Sequence, residues 1–83
     1  MAKVKIYSTT TCPYCYMEKA YLKSQGIEFE DVLLDQHPER VQEFVEVCGS
    51  MGVPCTQIIK DDGTEERILG FDKFRIDSAL GLA

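Results

Sequence analysis

A chain of 83 residues is about the size of one small domain with a modest core, so residues 1–83 are read as a single domain. With 45% hydrophobic and 28% charged residues it is not a disordered segment, and nine basic against fourteen acidic side chains, a formal charge of -5, exclude nucleic acid and anionic lipid as electrostatic partners. No apolar run approaches the roughly 18 residues that span a bilayer, and the alternating start Met1-Ala2-Lys3-Val4-Lys5-Ile6 carries no secretory core, so a cytoplasmic location is expected.

Lys3 to Ser8 alternates Val4 and Ile6 with Lys3 and Lys5 and predicts a short strand; Ser8-Thr9-Thr10-Thr11 then supplies hydroxyls suited to a turn and helix cap. A helix follows the cysteine pair, with Met17, Ala20, Tyr21 and Ser24 at helical spacing, Glu18, Lys19 and Lys23 on other faces, and Gln25-Gly26 at its end. Ile27 to Leu34 predicts a second strand, buried on both faces at its apolar end, which makes a parallel βαβ unit.

Pro38 suits the first turn of a second helix, in which Val41, Phe44, Val45 and Cys48 repeat at i, i+3, i+4 and i+7 until Gly49 stops it. Pro54 to Lys60 and Thr64 to Leu69 flank the turn signal Asp61-Asp62-Gly63 and predict an antiparallel hairpin. Gly70 breaks the second of these strands. Asp72 is a plausible N-cap for a last helix carrying Ile76 and Leu80. The order is βαβαββα.

Cys12 and Cys15 stand at the start of a helix, where unpaired backbone N–H groups and the helix dipole stabilise a thiolate. Cys12 is therefore the expected attacking thiol. Cys15, three positions on, can attack a mixed disulfide formed at Cys12 while lying deeper in the helix, which makes it the resolving thiol. Pro13 fits the first turn because its missing N–H would have had no partner there. The alternative use of the pair is half a tetrahedral zinc site completed by Cys48, Cys55 or His37. No second C-x-x-C or H-x-H appears, and no metal is expected.

Ile6-Tyr7-Ser8, Cys12-Pro13-Tyr14-Cys15, Val53-Pro54 and Leu69-Gly70-Phe71-Asp72, in that order and across nearly the whole chain, resemble a glutaredoxin. The resemblance implies an α/β thioredoxin-like fold with a four-stranded mixed sheet flanked by three helices. It also implies a cis peptide between Val53 and Pro54. The function implied is thiol–disulfide exchange on protein disulfides or glutathione mixed disulfides, with glutathione lying in a groove against Tyr14, the Val53 backbone and Asp72, and Thr9, Pro13, Pro54 and Phe71 at its margins. No bound cofactor is implied beyond the thiol reductant, and a monomer is expected.

Two positions depart from that pattern. Glutaredoxins usually carry a lysine three residues before the first cysteine and a basic residue just after the tetrad; here these are Thr9 and Tyr16, while Glu18 adds a negative charge. A smaller depression of the Cys12 pKa and weaker glutathione affinity are expected. The Met51-Gly52-Val53-Pro54 segment and the Gly70-Phe71-Asp72 pairing look closer to glutaredoxin-like proteins reduced by thioredoxin reductase, including electron donors to ribonucleotide reductase. An iron–sulfur carrier formed by dimerisation at Cys12 is the competing class, disfavoured by the crowding of Pro13 and Tyr14.

Tyr7 is read as core and His37 as a loop residue or helix cap. Cys48 is expected to pack as a small hydrophobe on its helix, and Cys55 likewise, with a regulatory Cys48–Cys55 disulfide as the alternative.

Overall fold

The computed structural model describes residues 2–49 and 52–82. Its elements are β1 (Lys3–Ser8), α1 (Pro13–Ser24), β2 (Glu30–Leu33), α2 (Val41–Cys48), β3 (Cys55–Ile59), β4 (Glu65–Leu69) and α3 (Lys73–Leu80). They form a thioredoxin-like fold: the four strands make one mixed sheet in the order β2-β1-β3-β4, with β1 parallel to β2 and antiparallel to β3, and β3 antiparallel to β4.

The two-residue period of the strands sorts the core into two layers. Val4, Ile6, Ile58 and Ile68 point to one face, where Leu22 of α1 and Ile76 of α3 cover them. Tyr7, Val32, Leu34 and Cys55 point to the other, where Phe44 of α2 covers them. Tyr7 is wholly buried, as its place in the strand predicts, and its ring lies 5.6 Å from that of Phe44. Its hydroxyl donates to Glu43, which also receives Lys5 at 3.2 Å and Arg40 at 3.0 Å. Those partners, Arg40 first, hold the Glu43 carboxyl down at about 2, while burial pushes the Tyr7 hydroxyl upward.

Three expectations are corrected. The second strand begins at Glu30 rather than Ile27 and is a sheet edge, with Glu30 and Asp31 exposed and only Val32 fully buried. Asp31 stays near the surface because it accepts hydrogen bonds from Ser8 Oγ at 2.9 Å and Lys19 Nζ at 3.0 Å. The second helix is entered through a 3-10 turn, Pro38–Arg40, and Val45 is exposed while Val47 packs inward in its place. The α1 register is also different: Met17 and Ala20 face out, and Cys15, Glu18 and Leu22 face in. Cys15 sets that register, since i, i+3 and i+7 share a helix face.

The Asp61-Asp62-Gly63 turn forms as expected. Lys60 N donates to Thr64 O at 2.8 Å, Asp62 accepts from Thr64 N at 2.9 Å, and Gly63 takes a φ of 89° that suits glycine. No helix among the described residues is long and apolar enough to cross a membrane.

Candidate active site

The strand register gathers the site. Tyr7 pairs with Cys55 and Cys55 with Leu69, so the chain leaving β1, entering β3 and leaving β4 meets at one end of the sheet. The loop after Ser8 delivers Cys12, the approach to β3 delivers Val53 and Pro54, and the exit of β4 delivers Gly70, Phe71 and Asp72. The Val53–Pro54 peptide is cis, as the resemblance implies. Pro54 O accepts from Gly70 N at 2.8 Å, which clamps the two segments together, and the φ of 75° at Gly70 turns the chain into α3.

Cys12 is itself the N-cap of α1, in place of the hydroxyl residues expected to cap it. Its Sγ accepts from Cys15 N at 3.2 Å, and Tyr16 N donates to Cys12 O at 3.2 Å. A sulfur in that position faces the unpaired donors of the helix start, the arrangement that favours a thiolate. The two sulfurs are bonded to each other. Cys12 is partly exposed and Cys15 completely buried, so an external disulfide can reach only Cys12.

Pro13 and Tyr14 are exposed beside the pair, Tyr14 by 63%, and Tyr16 is more exposed still. Thr9, Val53, Phe71 and Asp72 are half-buried at the same end of the sheet, while Pro54 is fully buried. Phe71 packs on the α1/α3 core with its ring 6.0 Å from Tyr21. Asp72 caps α3, accepting from Arg75 N at 3.2 Å. His37 takes the N-cap position of the 3-10 turn without a side-chain cap and pairs with Glu39 at 3.3 Å instead.

Two lysines on the flanking helices are paired with carboxylates. Lys19 is bound to Asp31 at 3.0 Å, and Lys73 to Asp77 at 2.8 Å with its ammonium 5.0 Å over the Tyr21 ring. A recess of about 580 Å³ lined by Lys3, Glu28, Phe29, Gln57 and Ile59 lies at the opposite end of the sheet, away from this chemistry. No group of three or more His, Cys, Asp or Glu among the described residues is placed to hold a metal ion.

Three residues behave differently from their sequence reading. Glu18 is wholly buried rather than solvated, and Thr56 of β3 donates a hydrogen bond to its Oε2. Its position three residues after Cys15 on a helix was the available signal. Cys48 and Cys55 form a second disulfide instead of packing as free thiols. Cys48 ends α2, Cys55 opens β3 on the face that α2 covers, and their Cα atoms are 6.6 Å apart, within bridging range.

Closing so short a loop restricts the unfolded chain by about 2.5 kcal/mol. Cys48→Ala is expected to lower stability by roughly that amount, since Cys48 is only partly buried and Cys55 can remain as a buried thiol. Urea unfolding of the oxidised proteins checks it, and an unchanged midpoint would show that the bond does not constrain the chain.

A glutaredoxin family model matches residues 4–62. Over 77 residues the chain is 40% identical to an uncharacterized glutaredoxin-like 8.6 kDa protein in the rubredoxin operon of Clostridium pasteurianum, covering 93% of this chain and 96% of that one. It is 36% identical over 59 residues to the glutaredoxin-like protein NrdH of Lactococcus lactis, covering 71% of this chain and 78% of the relative. Its fold superposes on the crystal structure of the glutaredoxin grx-1 from Archaeoglobus fulgidus with a TM-score of 0.78 and 26% identity, over 96% of this chain and 87% of that one.

Proposed function

The chain belongs to the glutaredoxin family, and on that premise we propose that it reduces disulfides, foremost those of proteins, by a two-thiol mechanism in the cytoplasm. The observation that carries this reading is the asymmetry of the pair: Cys12 at the helix N-cap and partly exposed, Cys15 one turn in and fully buried. The Cys12 thiolate attacks a substrate sulfur and the first substrate thiolate leaves. Cys15 then attacks Cys12, the Cys12–substrate bond breaks, and the Cys12–Cys15 bridge forms as the substrate carries away two electrons. The groove for the substrate runs between Thr9, Pro13, Tyr14, Val53, Phe71 and Asp72, with the buried Pro54 beneath it. Its backbone at Val53 suits pairing with an extended segment.

Glutathione is the first candidate for returning the pair to the dithiol, through a glutathionylated Cys12. A second reading, direct reduction by a flavoprotein thioredoxin reductase, is favoured by the pairing of Lys19 with Asp31 and Lys73 with Asp77, which leaves those cations engaged rather than free for the carboxylates of glutathione. Likeness to the relative called NrdH agrees with this second reading. An electron donor to ribonucleotide reductase would be one such protein.

The test supplies the two reductants separately, using an insulin-type protein disulfide as substrate, and compares wild type with Cys15→Ser. Wild type is expected to turn over in at least one system. Cys15→Ser is expected to accumulate a protein mixed disulfide at Cys12 and to lose reduction of the protein substrate. Full protein-disulfide activity in Cys15→Ser would overturn the two-thiol mechanism.

A further inference from the structure

Glu18 is a carboxyl group with no exposed surface, and among the described residues its Oε1 is a buried oxygen without a hydrogen-bond partner. It lies three residues after Cys15 on α1, which places both side chains on one helix face with β-carbons about 5–6 Å apart. Cys15 is equally buried. A thiol closed off from solvent must hand its proton to the protein before it can attack, because the thiolate is the nucleophile.

We propose that Glu18 takes the Cys15 proton when the mixed disulfide is resolved and returns it when the pair is reduced. The inference rests on the two-thiol reading above. In the resolving step the Cys15 S–H bond breaks and its proton passes to a Glu18 carboxylate oxygen. The freed sulfur lone pair forms the bond to Cys12 Sγ, the Cys12–substrate bond breaks with its electron pair on the substrate sulfur, and that thiolate takes a proton from water. On reduction the Cys15 thiolate leaves Cys12 and recovers the proton from Glu18. Glu18 thus acts as the general base for Cys15 in resolution and as its general acid in reduction.

The surroundings of Glu18 suit a group that both accepts and returns a proton. The elements packed around this face contribute the Thr56 hydroxyl from β3 and the apolar side chains of Ile6, Ile68 and Ile76. Of the charged groups on those elements, Lys5 pairs with Glu43, Lys19 with Asp31 and Ser8, Arg67 with Val47 O, Arg75 with Glu66, and Lys73 and Tyr21 with Asp77, while Lys3 and Lys23 are exposed to solvent. Burial raises the carboxyl to about 7 against the opposing Thr56 hydrogen bond. At neutral pH the group is thus divided between its two forms.

The test is the rate at which Cys15 displaces thionitrobenzoate preformed as a mixed disulfide on Cys12, followed by absorbance across pH. Wild type is expected to show an inflection near pH 7. Glu18→Gln, which keeps an acceptor for Thr56 but cannot take a proton, is expected to lose the inflection and to resolve about 100-fold more slowly at neutral pH. Alkylation of reduced Cys12 by iodoacetamide is expected to be unchanged. Thr56→Val removes the bond that supports the charged form, and its inflection is expected to move upward.

Stability separates this role from a structural one. The folded carboxyl titrates above the ordinary glutamate value, so folding holds the proton more tightly and wild type loses stability as pH rises from about 4.5 through about 7. Glu18→Gln is therefore expected to match wild type below that window and exceed it above. A Glu18→Gln protein that keeps the wild-type rate and inflection, or a Thr56→Val inflection that does not move, would overturn the proposal. If Cys15→Ser fails to trap a mixed disulfide, the two-thiol reading itself falls; if it traps one and Glu18→Gln resolves normally, only the role of Glu18 falls.

Discussion

Cys12→Ser is expected to reduce protein disulfides at less than about one thousandth of the wild-type rate while remaining at least as stable as the reduced wild-type protein, in which the Cys12–Cys15 bond is also open. The chemistry accounts for the first half. Disulfide exchange needs an anionic nucleophile soft enough to attack sulfur, and a serine hydroxyl supplies neither the charge nor the orbital at neutral pH. Cys15 cannot substitute, because it has no exposed surface and a protein disulfide has no path to it. Cys12 is the N-cap of α1, and serine is among the residues preferred there, its oxygen able to accept from Cys15 N as Sγ does now. Loss of activity therefore separates cleanly from loss of fold. Turnover of an insulin-type substrate together with a urea midpoint checks both halves. Residual activity above about a tenth would mean that another thiol attacks, and Cys15 would then have to become accessible.

The order of elements and the position of the site could be read from the sequence because each rests on local chemistry. The Asp61-Asp62-Gly63 turn, the glycine stops at Gly49 and Gly70, and the N-cap role of Asp72 each need only their neighbours, and the structure places them as expected. The cis Val53–Pro54 peptide came from family resemblance instead. What local pattern did not determine was which face of α1 turns inward. Met17, Ala20 and Tyr21 offer an apolar stripe as regular as the true one, and the inward face contains a carboxyl group. The choice is tertiary: Cys15 must sit under the sheet end for Cys12 to occupy the cap, and Glu18 and Leu22 follow it inside.

The Cys48–Cys55 bond was open for a similar reason. Both residues read as buried, and a buried thiol and half of a disulfide have the same sequence signature. Their pairing depends on α2 ending beside the start of β3, a relation fixed by the face of the sheet that α2 covers. The edge position of β2 also depends on strand order, which the apolar run at Val32-Leu33-Leu34 does not reveal.

Phe44→Ala is expected to cost about 3–5 kcal/mol, the range for removing a buried aromatic ring from a packed core. Phe44 is 1% exposed and fills the layer between α2 and the sheet against Tyr7, Val32, Leu34 and Cys55. That layer has little to replace it, since Phe44 is the fully buried side chain of an eight-residue helix. In a domain of this size the loss is a large fraction of the whole stability. Phe74→Ala, at a position 78% exposed on α3, is expected to change it by less than about 0.5 kcal/mol. Denaturant unfolding of the two variants makes the comparison.

The same cluster takes in Val53, so the cavity left by Phe44 opens beneath the wall of the proposed groove while the Cys48–Cys55 bond still tethers the end of α2. In the folded fraction, protein-disulfide turnover should therefore fall further than alkylation of Cys12 does, because alkylation needs only the helix start and turnover needs the groove. Equal losses in the two would mean that Val53 is held by the clamp from Gly70 N to Pro54 O rather than by the core beneath it.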